Sequence, residues 1–200
     1  MKPDLTRRFL LGAALALGLG GAAAAQETSR EVNPDHPVLV IEVAGEANGT
    51  IEIELFEDVA PAHVERLITL AESGAYNEVV FHRVIDRFMA QSGDVQFGKM
   101  GGDMRQAGMG GSDMPDLRAE FSDVPFERGI LGMARSRSPH SANSQFFIMF
   151  EPAPHLNRQY TVVGQVISGL DVLDAIKRGT GPNGSVVGQP DMMQSVTVRQ

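Results

Sequence analysis

The sequence predicts a mainly β fold, a mostly antiparallel barrel or sandwich of eight strands with two helices. Three observations support this fold class. Short runs rich in β-branched and aromatic residues recur along the chain, whereas only two segments carry the 3.6-residue spacing of an amphipathic helix. The 200 residues are 42% hydrophobic, which is enough for the core of one domain.

The N-terminal segment has the pattern of a signal peptide. A basic start precedes an uncharged run from Phe9 to Ala25 that ends in small residues. We expect cleavage after Ala25, so that residues 1–25 are the signal peptide, with a retained membrane anchor as the alternative. The pair Arg7-Arg8 resembles a twin-arginine export signal, and Sec export stays open. The mature protein is then expected in the periplasm, with no membrane segment.

The first structured elements of the mature chain are predicted to be two strands. Residues 26–37 are polar, contain two prolines and show no periodicity, which predicts an N-terminal arm before a domain spanning residues 38–200. Val38–Val43 is a compact β-branched run, and Ile51–Leu55 alternates strictly. These two runs predict a hairpin whose second strand has one face in water.

Two helices and six more strands are predicted after this hairpin. Pro61 suits a first helical turn, and the apolar spacing that follows it ends at Gly74. The apolar residues of this helix are Val64, Leu67, Ile68 and Ala71. A second, shorter helix fits Gly169–Arg178. The further strand-like runs are Val79–Ile85, Phe88–Gln91, Gly129–Ala134, Gln145–Phe150, Thr161–Ile167 and Ser195–Val198.

Composition excludes several classes of function. The chain contains no cysteine, which rules out thiol catalysis, Cys-ligated metals and disulfides. Its formal net charge of -8 leaves no broad basic surface, so nucleic acid is not an expected partner. The five histidines do not form a close ligand set. We therefore expect no metal and no cofactor.

Two loops contain patterns that suggest other functions. Gly179–Gly184 matches the glycine pattern of dinucleotide-binding loops, but a predicted helix precedes it and Pro182-Asn183-Gly184 is typical of a turn, which favours a simple loop. Residues 96–115, here named the flap, are rich in glycine and methionine and predict a surface loop. Its thioethers are potential Cu(I) ligands, so copper buffering is an alternative function, although adaptable apolar side chains explain them as well.

The segment from Phe81 to Asp94 is unusual because it places Arg83 within a run otherwise suited to burial. Gln91 shares a strand face with Met89, and Gln145 shares one with Phe147. If these two strands are neighbours, they form an apolar patch with polar groups at its edge.

Four sequence blocks together resemble the cyclophilin family of peptidyl-prolyl isomerases. The blocks are Phe81-His82-Arg83, Phe88-Met89-x-Gln91-x-Gly93-Asp94, Gly129–Ala134 and Asn143–Ile148. The resemblance extends from about Val38 to the C-terminus. It implies an eight-stranded antiparallel barrel capped by two helices, and a monomeric enzyme that needs no cofactor and acts on proline-containing, unfolded or flexible polypeptides.

The same resemblance implies roles for individual residues. Arg83 corresponds to the catalytic arginine, and Gln91 would hold both Arg83 and the substrate backbone. The implied lining of the proline pocket is Phe88, Met89, Phe147 and Leu156, and the implied contacts to residues before proline are Ala134, Arg135 and Gln145. Tyr160 replaces a frequent histidine. His155 replaces the tryptophan of relatives that bind cyclosporin tightly, so cyclosporin affinity is not predicted.

The reaction implied by the resemblance suits a chain without a nucleophile or metal motif. Rotation about a prolyl bond breaks no bond, but it must overcome about 18–20 kcal/mol because amide resonance is lost. A guanidinium can bind the lone pair that develops on the twisted prolyl nitrogen. The alternative is a peptide-binding or holdase chaperone module that uses the same groove with little turnover, and whose effect on aggregation would not depend on Arg83.

Overall fold

The computed structural model describes residues 30–200, so the predicted signal peptide and the start of the predicted arm lie outside the described residues. The described part contains nine strands and two α-helices. The strands are β1 (Val38–Ala44), β2 (Gly49–Leu55), β3 (Val79–Val80), β4 (Arg83–Ile85), β5 (Met89–Ser92), β6 (Ile130–Met133), β7 (Phe146–Met149), β8 (Val162–Ser168) and β9 (Met192–Arg199). The helices are α1 (Pro61–Glu72) and α2 (Leu170–Ala175), and short 3₁₀ turns occur at Pro154–Leu156 and Pro182–Gly184.

All nine strands belong to one antiparallel sheet, in the order β3-β9-β1-β2-β8-β6-β7-β5-β4. The two edge strands, β3 and β4, follow each other in the chain with only Phe81 and His82 between them. The three Cα steps from Val80 to Arg83 span at most about 10 Å. The sheet must therefore curl until its two edges lie side by side. This confirms the predicted mainly β, antiparallel class.

The predicted number of strands was wrong by one, because Val79–Ile85 forms two strands at opposite edges of the sheet. Val79 and Val80 pair with β9, whereas Arg83–Ile85 pairs with β5. Between them, the Phe81 amide donates to the carbonyl of Asp191 at 2.9 Å. The apolar residues on both sides of this change of partner are buried, namely Val79, Val80, Phe81 and Val84. The hydrophobic pattern is therefore continuous although the strand pairing is not.

The predicted hairpin of β1 and β2 is confirmed, but its second strand does not have a fully wet outer face. Glu54 on β2 is fully buried. Its carboxylate accepts hydrogen bonds from the Asn33 amide at 2.9 Å and from Gln165 Nε2 at 2.8 Å, and His36 Nδ1 lies 2.9 Å away. Residues from the N-terminal arm thus cover this carboxylate, a contact that the alternation of β2 does not reveal.

The two helices lie where the sequence predicts them. Helix α1 buries Val64, Leu67 and Leu70, and it ends before Gly74, whose φ of +70° favours glycine. Helix α2 is shorter than predicted because the backbone adopts a non-helical conformation at Ile176. A second apolar cluster beside the main core joins strands β5, β6, β7 and β8 beneath the site described next. Within residues 30–200, no helix has the length and apolar character needed to cross a membrane.

Candidate active site

Arg83 opens strand β4 at the edge of the sheet, where its side chain is half-buried. Its cross-strand partner on β5 is Gln91. Directly opposite residues on adjacent strands have side chains close together. Accordingly, Arg83 Nη1 donates to Gln91 Oε1 at 3.1 Å. The strand register therefore brings together the predicted catalytic arginine and its predicted glutamine partner.

A second glutamine extends this hydrogen-bonded chain. Gln91 Nε2 donates to Gln145 Oε1 at 2.9 Å. Gln145 Nε2 in turn donates to two flap carbonyls, that of Gly108 at 3.0 Å and that of Gly110 at 2.8 Å. The amide groups of both glutamines are thus oriented, and Arg83 is linked through them to the backbone of the flap.

An apolar cavity of about 170 Å³ opens beside Arg83. Strands β5 and β7 are neighbours in the sheet, as the predicted patch requires, and Gln91 pairs with Phe147. The cavity is lined by Arg83, Phe88, Met89, Gln91, Ala134, Arg135, Phe147, Leu156 and Tyr160. The structure thus brings nine of the eleven predicted site residues around one cavity.

Aromatic rings form the floor and one wall of this cavity. Phe147 stacks on Phe126 with ring centroids 5.7 Å apart, and Tyr160 contacts Phe147 edge-on at 5.7 Å. A Cβ on Gly132 would lie 2.6 Å from the Phe126 ring and 2.7 Å from that of Phe147. Glycine at this position therefore allows the rings to pack against β6. Phe126 was not predicted from the sequence, because it belongs to none of the four motif blocks.

The other two predicted site residues lie next to the cavity. Gln145 lines an adjacent cavity of about 380 Å³, beneath the flap. His155 is exposed and stacks on Phe88 at 5.9 Å, which places it at the rim. Arg135 spans both cavities, and its guanidinium carbon lies 4.4 Å from the centre of the Tyr160 ring.

The fully buried carboxylate of Asp94, at the end of the motif that begins at Phe88, holds the flap in place through hydrogen bonds. Asp94 Oδ2 accepts from the amides of Gly108 at 2.7 Å and Gly110 at 3.0 Å, and its Oδ1 accepts from the amide of Phe97 at 2.8 Å. A second anchor is Asn143, whose Oδ1 accepts from the Ser112 amide at 2.8 Å. These contacts hold the flap carbonyls that orient Gln145.

Asn183, for which the sequence predicts only a turn, contacts the site through Arg83. Its backbone oxygen accepts from Arg83 Nε at 2.9 Å, and its Oδ1 accepts from Arg83 Nη2 at 3.2 Å. The Pro-Asn-Gly order correctly predicts the turn, but no local signal indicates what the turn contacts.

Burial shifts the pKa of Arg83 and of the residue before it, His82. Desolvation lowers the pKa of Arg83 from its ordinary value, and the nearby Tyr160 opposes this shift. Desolvation also lowers the pKa of His82 to about 4, against the opposing charge of Asp94. Arg83 stays a cation and His82 is a neutral ring at neutral pH.

Copper buffering by the methionines of the flap is the alternative function that the sequence suggests. Among residues 30–200, no three His, Cys, Asp or Glu side chains are grouped to hold a metal ion. Met109 of the flap is largely exposed.

The chain is similar in sequence to known isomerases. A family model described as cyclophilin type peptidyl-prolyl cis-trans isomerase/CLD matches residues 38–198. A probable peptidyl-prolyl cis-trans isomerase from Brucella suis biovar 1 (strain 1330) is 48% identical over 186 residues, which are 92% of this chain and 91% of the relative.

Solved structures show the same similarity. The crystal structure of the cyclophilin AquaCyp293 from Hirschia baltica matches with a TM-score of 0.66 and 25% identity, over 84% of this chain and 75% of that one. A cyclophilin type peptidyl-prolyl cis-trans isomerase from Cryptosporidium parvum matches with a TM-score of 0.67 over 82% of this chain and 98% of its own, and at 24% identity it shows the fold alone.

The curled antiparallel sheet, with an arginine beside a small cavity lined largely by apolar and aromatic side chains, defines a mainly β protein whose site fits a small apolar group. The sequence matches identify the family to which the chain belongs within this class. The chain belongs to the cyclophilin-type peptidyl-prolyl cis-trans isomerase family, whose substrates are proline-containing peptides.

Proposed function

We propose that the protein catalyses rotation about X-Pro bonds in exported polypeptides, with Arg83 as the group that stabilises the twisted bond. The observation that carries the proposal is the position of the Arg83 guanidinium at the mouth of the apolar cavity, where its hydrogen-bond acceptors are neutral oxygens. An apolar ring fits the cavity beside this cation, so that the prolyl nitrogen lies near the guanidinium.

The chemistry follows from the change in the prolyl nitrogen during rotation. In the planar ground state its lone pair is delocalised into the carbonyl group, whereas in the twisted state the pair is localised on a pyramidal nitrogen. A guanidinium N–H binds the localised pair more strongly than the planar amide, which lowers the barrier. An acceleration of about 10⁵ requires about 7 kcal/mol of such differential binding.

Substrate binding is divided between the two cavities. Phe88, Met89, Phe147 and Leu156 grip the proline ring, with Tyr160 and His155 at the wall and rim. Gln91, Ala134, Arg135 and Gln145 contact the residues before proline, which leaves the acyl side free to turn. Holding one side of the bond converts binding energy into orientation.

Replacement of Arg83 tests the catalytic role. We expect Arg83→Ala to lower kcat/KM at least about 100-fold, equivalent to about 2.7 kcal/mol, because the donor to the prolyl nitrogen is lost. The measurement is NMR exchange of a short X-Pro peptide with the protein from Gln26 onward. The matched control is Arg199→Ala, which removes a strand arginine paired with Glu52 away from the site.

The outcome separates the isomerase from the alternative function. Loss of exchange in folded Arg83→Ala, with normal exchange in the control, supports catalysis by Arg83. Equal activity in wild type and Arg83→Ala would remove Arg83 from this role. A folded wild type that accelerates nothing but suppresses aggregation would favour the holdase module.

The predicted signal peptide, residues 1–25, is tested by a separate experiment. The proposal rests on the basic start and the uncharged run that ends at Ala25. We expect residues 1–25 fused to a reporter enzyme to direct it to the periplasm of a bacterial cell, with cleavage after Ala25 detected by mass spectrometry. Replacing Arg7-Arg8 by Lys-Lys separates the routes, because twin-arginine export would stop while Sec export would continue. Retention of the reporter in the cytoplasm would contradict export.

A further inference from the structure

The turn at Pro182–Gly184 lies against the catalytic strand although it is 100 residues further along the chain. Asn183 accepts two hydrogen bonds from Arg83 there, one through its backbone oxygen and one through Oδ1. The donors are Nε and Nη2, which lie on one edge of the planar guanidinium. Two parallel bonds on one edge fix the plane of the group as well as its position.

The turn is held in place by strand β4 and not by Asn183 alone. The Val186 amide donates to the His82 carbonyl at 3.0 Å, and the Gly179 amide donates to the Val84 carbonyl at 2.8 Å. A Cβ on Gly184 would lie only 2.3 Å from Ile85 Cγ1, so glycine is required for this close approach. The turn is therefore a fixed support for the arginine.

The backbone of Asn183 adopts the left-handed conformation, with φ of 54° and ψ of 28°. Asparagine is one of the few residues with a side chain that enters this region readily. Unlike glycine, which enters this region most readily, asparagine also supplies a neutral side-chain oxygen there. The choice of asparagine thus combines the turn geometry with an acceptor for the guanidinium.

The acceptors around Arg83 do not neutralise its charge, and they use only some of its N–H donors. An arginine has five N–H donors, and the contacts with Asn183 and Gln91 use three of them. One N–H therefore remains on each of Nη1 and Nη2. Since the acceptors are amide oxygens and not carboxylates, they orient the cation without neutralising it.

We propose that Asn183 is a positioning residue of the isomerase, which fixes the Arg83 guanidinium from the side opposite Gln91 so that its free N–H groups point at the prolyl nitrogen. The proposal rests on the catalytic role proposed for Arg83. It gives the loop that resembles a dinucleotide-binding pattern a function in catalysis.

Asn183→Gly tests this role because glycine keeps the backbone oxygen and the left-handed conformation while it removes Oδ1. Loss of one hydrogen bond of about 1 kcal/mol corresponds to about a fivefold change in rate. We expect kcat to fall about three- to tenfold with KM unchanged, as measured by NMR exchange over a range of peptide concentrations. The Arg83 Nε–Hε signal should also exchange faster with water.

Glu78→Gly is the matched control, because Glu78 is exposed, has a φ of 62° and makes backbone contacts that glycine retains. Its kcat should equal that of the wild type. Unchanged kcat in Asn183→Gly, with activity lost in Arg83→Ala, would overturn the role of Asn183 alone. Unchanged kcat in both would overturn the role of Arg83. An equal fall in Glu78→Gly would mean that general loosening of the chain, and not the lost acceptor, lowers the rate.

Discussion

Arg83 lies in an environment that partly removes water from its charge without supplying a counter-ion. Burial lowers its pKa from the ordinary value for arginine, and the oxygens that it contacts belong to Gln91 and Asn183. A guanidinium remains protonated under such a shift. A partly desolvated charge interacts more strongly than a hydrated one, which supports the role proposed for Arg83 in binding the lone pair of the twisted prolyl nitrogen.

The rate should accordingly be almost independent of pH near neutrality. We expect kcat/KM to change less than about twofold between pH 6 and 8, because Arg83 does not titrate there and the pKa of His82 is about 4. NMR exchange at pH 6, 7 and 8 with a peptide free of titrating side chains provides the measurement. A bell-shaped profile would mean that another group carries out the reaction.

The flap shows how one carboxylate organises a segment of weak secondary structure. Glycine and methionine are poor determinants of local conformation, yet four backbone amides between Gln96 and Gly110 donate to Asp94. The carbonyls of Gly108 and Gly110 then orient Gln145. The flap is therefore an extension of the active site.

Asp94→Asn should loosen the flap and slow catalysis. An amide NH₂ would face backbone N–H groups, so we expect a loss of about 2 kcal/mol in the free energy of unfolding. The amides of Gly108 and Gly110 should lose protection in hydrogen exchange, and kcat should fall because Gln145 loses its orientation. Asp113→Asn, on an exposed residue of the same flap, is the control and should change neither quantity. Normal protection in Asp94→Asn would contradict this account.

At the scale of the whole molecule, folding buries the rings of His63 and His82. His82 lies between edge strands β3 and β4, and His63 is buried on α1 beside Glu120. Desolvation lowers the pKa of both rings, against the opposing effect of Asp94 on His82 and of Glu120 on His63. The folded state thus binds protons less readily at these sites than the unfolded chain.

Stability should therefore fall as the pH drops. Below the ordinary histidine pKa of 6.5, His82 is protonated in the unfolded chain but stays neutral in the folded protein. This difference destabilises the fold until the pH reaches the folded pKa of His82 at about 4. At 1.36 kcal/mol per unit, His82 contributes a loss of about 3 kcal/mol. Urea unfolding at pH 7 and pH 4.5 should show the decrease. His82→Gln should reduce the difference, whereas His140→Gln, on an exposed histidine, should leave it unchanged.

Much of the fold could be predicted because its signals are local. The alternation in Ile51–Leu55 and the spacing after Pro61 report which face of each element is buried, and both elements form where predicted. The change of partner within Val79–Ile85 could not be predicted, because strand-like apolar residues continue on both sides of it. The burial of Glu54 was missed for a related reason, since residues of the N-terminal arm cover it.

The sequence by itself determined the class of fold, because periodicity is a property of the chain order. Its motifs determined the resemblance to the family, and that resemblance implied the residues around the cavity. Only the tertiary structure decided which groups orient Arg83. Its contact with Asn183 joins positions 100 residues apart, and such a contact depends on how the sheet curls and where its edges meet. Local patterns encode the faces of elements, whereas the partners of a side chain at an edge are set by packing of the whole chain.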